Sequence, residues 1–258
     1  MSGFLQRVTG DRRADAARRR AEGALPLAQS AARAAGKPRN FLGAMAKPGL
    51  SLIAEIKRAS PSAGDIAPGA RPAELARAYE AGGASAISVL TEPDHFRGSL
   101  DDLREARSAC ELPVIRKDFL CDPLHLWEAR AAGADAVLLI VAALTQTELV
   151  SLADLASDLG MTALVEAHSA SEVDRAIQAG ARLVGINTRN LSTLEVDPAM
   201  VGKLRPLVPD GILVVGESGV ATREDVLDME AAGVDAILVG EAVMRAPDPA
   251  AKIRELLG

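Results

Sequence analysis

The stretch Ala132-Gly133-Ala134-Asp135-Ala136-Val137-Leu138-Leu139-Ile140-Val141 joins a helix stop to a strand, and its reading decides the fold. Gly133 can take the left-handed conformation that ends a helix, and the small alanine beside it lets the chain turn tightly. Ala136 to Val141 is then apolar without interruption, as suits a parallel strand buried on both faces. The same stop recurs as Ala81-Gly82-Gly83-Ala84, Ala179-Gly180-Ala181 and Ala232-Gly233-Val234. The repeat interval of about fifty residues corresponds to two strand-helix units.

Outward from these stops the pattern alternates. Strands are expected at 51–57, 84–90, 112–117, 134–140, 161–166, 182–187, 211–217 and 234–239, each followed by a helix-compatible stretch. Eight such units in 258 residues predict an α/β fold, a closed (β/α)8 (TIM) barrel. An open doubly wound sheet would not need eight evenly spaced strands, and no G-x-G-x-x-G follows the first one. The expected organisation is a single barrel domain over 1–258, with 1–45 as an N-terminal helical extension. Residues 4 to about 35 are rich in Ala, Arg and Leu and read as one or two amphipathic helices, with Pro26 and Gly36 as the main breakers. Their cluster Arg12, Arg13 and Arg18 to Arg20 reads as a solvated helix face rather than a polyanion site. Phe41 and Leu42 are expected to anchor the segment as a cover at one end of the barrel.

The chain is 48% hydrophobic and 25% charged, with a net charge of −6, which argues against a nucleic-acid binder. Cys110 and Cys121 have no C-x-x-C spacing and read as small packing residues. His95, His125 and His168 are not spaced as metal ligands and read as structural, so no metal is expected. No leader-like segment or long apolar run is present, and a cytoplasmic protein with no membrane or nucleic-acid partner is expected.

Barrel sites lie at the C-terminal ends of strands. Here those ends read Glu55-Ile56-Lys57, Arg116-Lys117-Asp118, Val165-Glu166, Asn187-Thr188-Arg189 and Glu217-Ser218-Gly219. Glu55 and Lys57 stand two apart on one strand and so point to one interior, where charges are rarely buried unless paired or used. After the first strand, Ser60-Pro61-Ser62-Ala63-Gly64 is rich in turn formers that could bring hydroxyl and backbone groups above the strand end. After the seventh and eighth strands, Gly219 and Gly240 open loops whose backbone can approach a phosphate closely.

Together L-I-A-E-I-K-R-A-S-P-S at 52–62, L-T-E-x-x-x-F-R-G-S at 90–99, V-I-R-K-D-F at 114–119, L-V-E-A-H at 164–168, G-I-N-T-R-N-L at 185–191, G-E-S-G-V at 216–220 and L-V-G-E at 238–241 resemble the indole-3-glycerol phosphate synthase family. The likeness runs in order from about residue 39 to the C-terminus, and its first motif is highly specific. It implies a carboxy-lyase that closes the indole ring of 1-(2-carboxyphenylamino)-1-deoxyribulose 5-phosphate, with loss of carbon dioxide and water, in tryptophan biosynthesis. It also implies a phosphorylated small-molecule substrate, no cofactor, and a monomer or weak dimer. By position Lys117 matches the general acid, Glu166 the second proton-transfer group, and Glu55 and Lys57 the first-strand pair. Asn187, Arg189, Ser60, Pro61, Glu217 and Ser218 match substrate-site positions, Gly219, Gly240 and Glu241 the phosphate cup, and Phe96 and Phe119 the wall around the anthranilate ring. Ala242 departs where serine is frequent, and His95 where an aromatic ring is. Lys117, beside apolar neighbours and Lys57, is expected to have a depressed pKa. A ribulose-phosphate epimerase, a phosphoribosyl isomerase and a non-catalytic barrel leave E-I-K-x-x-S-P-S and the competent acid-base residues unexplained.

Overall fold

The computed structural model describes residues 3–189 and 195–258. Among them eight parallel strands close into one barrel: β1 Ser51–Ile56, β2 Ala86–Leu90, β3 Val114–Lys117, β4 Ala136–Ile140, β5 Thr162–Ala167, β6 Leu183–Asn187, β7 Leu213–Glu217 and β8 Ala236–Val239. Each pairs with its neighbour in sequence, and β8 closes on β1 with Leu52 opposite Ile237. Helices alternate with the strands on the outside, from Pro72–Gly82 after β1 to Pro249–Leu257 after β8. The α/β barrel expected from the alternation is therefore the fold.

The repeated stops show why the register holds. Gly83, Gly133, Gly180 and Gly233 have φ of 93°, 91°, 75° and 80°. The N–H after each bonds back five residues, Ala84 to Tyr79 O, Ala134 to Ala129 O, Ala181 to Ala176 O and Val234 to Met229 O, which closes the helix end. With those donors committed to the helix, β2, β4 and β8 start at Ala86, Ala136 and Ala236, two residues after the expected 84, 134 and 234. The aspartate that follows the stop has a structural task of its own. Asp135 accepts the Val114 N–H at the start of β3 and Asp235 the Val214 N–H in β7, each at 2.8 Å.

Among the described residues three helices precede the barrel, α1 Gly3–Ala21, α2 Ala24–Ala34 and the short α3 Phe41–Met45. The break falls at Gly23, with φ of 86°, and not at Pro26, which sits in the first turn of α2 where a missing N–H is tolerated. The arginines of α1 are only in part the solvated face expected of them: Arg18 and Arg20 are exposed, but four of the five reach carboxylates on the barrel. Arg12 lies 2.7 Å from buried Asp118, Arg13 2.6 Å from Glu148 and Arg20 3.0 Å from Asp122, while Arg19 pairs with Glu128. The barrel rim beneath α1 carries carboxylates, so the basic face is drawn inward, and Leu5 and Val8 are buried with it. Arg18 alone of the cluster keeps to its own helix, with Asp15 and Glu22. Phe41 is fully buried, as an anchor should be, and both cysteines are buried and free.

Candidate active site

At the C-terminal ends of the strands lies a cavity of about 500 Å³. Glu55, Lys57, Ser60, Pro61, Phe96, Lys117, Phe119, Glu166, Asn187, Arg189, Glu217, Ser218, Gly219, Gly240 and Glu241 all line it. The strand periodicity explains the convergence. Inward positions alternate, so Glu55 on β1 and Lys57 just past its end, Leu138 and Ile140 on β4, and Lys117, Glu166, Asn187 and Glu217 at other strand ends share one interior. Arg116 does not reach it. One residue before Lys117 it faces the other way, wholly buried, and holds Asp118 at 2.8 Å, Thr91 Oγ1 at 3.0 Å and His125 O at 2.7 Å. Asp118 is gripped by Arg116, Arg12 and the Thr91 hydroxyl. Burial opposes its charge, but the two guanidiniums outweigh that and hold its carboxyl below the usual range. The strand end that carries Lys117 is thus clamped from behind.

The centre of the cavity is a chain of opposite charges. Lys57 Nζ lies 2.7 Å from Glu55 Oε1. Lys117 Nζ lies 2.8 Å from Glu217 Oε2 and 3.5 Å from Glu166 Oε2. The depressed pKa expected for Lys117 is reversed. Desolvation does push it down, but Glu217, Glu166 and Glu55 surround the ammonium and drive it above its ordinary value. Sequence showed the neighbouring lysine and not the carboxylates that other strands bring in.

Those carboxylates are not alike. Desolvation raises Glu217, Lys117 lowers it and Glu166 raises it again, leaving it pushed up to about 7. For Glu166, desolvation is outweighed by Lys117 and His168, with help from Asn187, and its carboxyl sits below the usual range. One group is a carboxylate and its neighbour is poised to hold a proton near neutrality, a division suited to acid-base work. Beneath Glu217 the strand must be bare, since a Cβ on Gly185 would overlap Glu217 Oε1.

Around this centre the rim divides by chemistry. Phe96 and Phe119 pack with centroids 6.2 Å apart, and Phe4 of α1 completes an aromatic wall, 6.2 Å from Phe119 and 5.1 Å from His95. The His95 ring therefore fills an aromatic place in the packing. Across the cavity Ser218 has a φ of 70°, rare for a residue with a Cβ, and Gly219 follows at 80°. The Ser218 hydroxyl donates to Asn187 Oδ1 at 2.9 Å, and that oxygen also accepts the Arg189 N–H at 3.0 Å. Gly240 caps the short helix Glu241–Met244 and its carbonyl accepts the Val243 and Met244 N–H groups, which leaves the Glu241 and Ala242 N–H groups without a partner within the helix. A Cβ on Gly240 would overlap Glu55 Oε1, so this glycine also makes room for the first-strand pair. The Glu241 carboxylate is turned to Arg245 at 2.8 Å. The Ser60 hydroxyl accepts the Ala63 N–H at 3.1 Å and shapes the flap Ala59–Ser60/Gly64–Asp65 above β1.

The sequence reading does not single out Phe4 or Arg245, and it takes His168 as structural. Phe4 had no signal beyond its helix. His168 had one, its place two residues after Glu166, which on a strand continuation returns it to the same face.

An eight-stranded barrel with lysines and glutamates interleaved at its strand ends, beneath a glycine-opened rim, defines a barrel enzyme of proton-transfer type. The family model of indole-3-glycerol phosphate synthase matches residues 5–256. The chain belongs to that family, the carboxy-lyases of tryptophan biosynthesis that act on a phosphorylated small molecule. It is 51% identical over 245 residues to the indole-3-glycerol phosphate synthase of Mycobacteroides abscessus, covering 95% of this chain and 90% of that one. The enzyme of the same name from Mycobacterium tuberculosis is 49% identical over the same shares. Among solved structures, the thiamine phosphate pyrophosphorylase of Pyrococcus furiosus aligns with a TM-score of 0.61 at 21% identity, over 80% of this chain and 93% of that one, a likeness of fold. No helix among the described residues is long and apolar enough to cross a membrane.

Proposed function

We propose that this chain closes the indole ring of 1-(2-carboxyphenylamino)-1-deoxyribulose 5-phosphate, with Lys117 as the acid. The observation that carries the assignment is Lys117 Nζ held between Glu217 at 2.8 Å and Glu166 at 3.5 Å. Ring closure needs the sugar ketone protonated while an anthranilate carbon attacks it, and an ammonium facing the cavity supplies that proton. Carbon dioxide then leaves from the ring carbon that made the attack. Loss of the newly formed hydroxyl as water needs a second acid-base pair, a proton for the departing oxygen and a base for the proton that leaves the neighbouring methylene carbon; proton-bearing Glu217 suits the first role and the Glu166 carboxylate the second. Glu55 and Lys57 steady the same hydroxyl and ring, while Arg189, set by Asn187, pairs with the carboxylate until it departs. Gly219, Gly240 and Glu241 offer backbone N–H groups to the phosphate, and the Glu241–Arg245 pair keeps a bare carboxylate away from it. Ser60 and Pro61 shape the flap, Ser218 fixes Asn187, and Phe96 and Phe119 hold the aryl ring.

The overall conversion is redox-neutral and moves only protons, carbon dioxide and water, so its balance calls for no cofactor. We take 1–258 as one barrel domain with 1–45 as its extension, working as a monomer or weak dimer in the cytoplasm. α1 supports the first point by supplying both the Arg12 clamp and Phe4. The test is direct: purified chain and this substrate should yield indole-3-glycerol phosphate, and Lys117→Met should abolish it. Full activity in Lys117→Met refutes the assignment.

A further inference from the structure

His168 stands one residue beyond β5, largely buried behind Glu166. Its Nε2 lies 3.3 Å from Glu166 Oε1, off the alignment of a hydrogen bond, and has no other polar partner among the described residues. On the far side one oxygen of Glu172 accepts the His168 backbone N–H at 2.8 Å and lies 3.4 Å from Nδ1. Glu172 is the third residue of the helix Ala170–Gln178, whose Ser169 cap accepts the Glu172 N–H. A glutamate at this position ordinarily reaches back to the cap residue's own N–H. Here it reaches one residue further and grips the imidazole, so helix, ring and Glu166 form one line of groups.

We propose that His168, held by Glu172, is a positioning residue that decides which of the two central carboxylates carries the proton, because its ring stands against Glu166 and leaves Glu217 to share Lys117 alone. This rests on the reading of Glu166 as a proton-transfer group. Two cations flank Glu166, Lys117 from β3 and the imidazolium from behind, whereas Glu217 has only the first. The charged groups acting on His168 are Glu172 from the following helix, Glu166 from β5 and Glu217 from β7. Burial lowers the imidazole, but these carboxylates outweigh it and raise it above its ordinary value, which favours the charged imidazolium. Removing that charge makes ionised Glu166 less favourable, and its pKa rises toward that of Glu217. The base form then appears only at higher pH.

The experiment compares kcat and KM of the wild-type full chain, His168→Gln and Glu172→Gln between about pH 5 and 9. An opposite charge this close moves a carboxyl by about one unit or more, so the acid limb of kcat/KM in His168→Gln should shift upward by that amount. This is roughly a ten-fold loss on the limb, recovered at high pH, with KM near wild type. Glu172→Gln keeps an oxygen for the His168 N–H and should shift the limb the same way by less, which serves if His168→Gln does not fold. A limb that stays in place in a folded variant overturns the proposal. So does a loss that is equal at every pH and tracks a fall in Tm, the mark of a purely structural histidine. Glu166→Gln run in parallel separates the two readings. If it retains kcat, the role of Glu166 fails and the proposal with it; if it is inactive while the His168→Gln limb is unmoved, the His168 proposal alone fails.

Discussion

Lys117→Arg separates charge from proton donation. In the wild type the Lys117 ammonium reaches Glu217 at 2.8 Å and Glu166 at 3.5 Å, and both carboxylates are buried. Arginine keeps a cation within reach of both, so the charges stay paired and stability should change by no more than about 1 kcal/mol. What arginine cannot do is release its proton at neutral pH. The loss should therefore equal the contribution of a positioned acid, about 10²- to 10⁴-fold in kcat, or roughly 3–5 kcal/mol of barrier. KM should move only a few-fold, since the aromatic wall and phosphate rim are untouched. The carboxylate cage makes this acid reluctant, because the three glutamates that hold the ammonium charged also oppose its deprotonation. Negative charge must fall locally as the reaction starts, and Glu217, pushed up to about 7, can provide this by holding a proton. Lys117→Met is the counterpart: it strips two buried carboxylates of their cation, and breaking such a pair costs about 3–5 kcal/mol, so Tm should drop as well. The assay is initial rate by indole fluorescence with thermal melts on the same preparations. A Lys117→Arg enzyme within a few-fold of wild-type kcat refutes donation by Lys117 and leaves Lys57 as the better acid.

Gly240→Ala should lower kcat as well as raise KM, because its Cβ would collide with Glu55 Oε1 and lie 3.1 Å from Lys57 Nζ; a change in KM alone would show that the Glu55–Lys57 pair takes no part in chemistry. Arg189→Lys retains charge but loses the planar fork, so substrate affinity should fall by about ten-fold or more, and normal affinity would make Arg189 a rim residue. Stability should decline as pH rises from about the ordinary carboxyl value of 4.5 to about 7, since folded Glu217 binds its proton more tightly than the unfolded chain does. Raised His168 adds a fall of the same sign above its ordinary 6.5. Chemical denaturation across this range should show Glu217→Gln flattening the lower part of the slope; an unchanged slope would mean that Glu217 is not raised.

Much of this site was legible because strands obey a period of two. Glu55 and Lys57 had to face one interior whatever surrounded them, and the four repeated glycine stops mark where every second strand begins. Glu166, Asn187 and Glu217 could then be placed together without coordinates. The same rule turns Arg116 away from the site, since its parity is opposite to that of Lys117, and should have drawn attention to His168, whose parity with Glu166 is the same.

Sequence by itself determined the barrel, its strand order and the residue types at its mouth, because local turn geometry and short-range periodicity carry that information along the chain. Only the tertiary structure decided where α1 docks and what each titratable group feels. Arg12 meets Asp118 across 106 positions and Lys117 meets Glu217 across 100, distances at which no local pattern operates. Coulomb energies depend on the separation of charges and the dielectric between them. Both are set when the barrel closes, and so the same lysine that reads as a weakened base in one dimension is a tightly held ammonium in three.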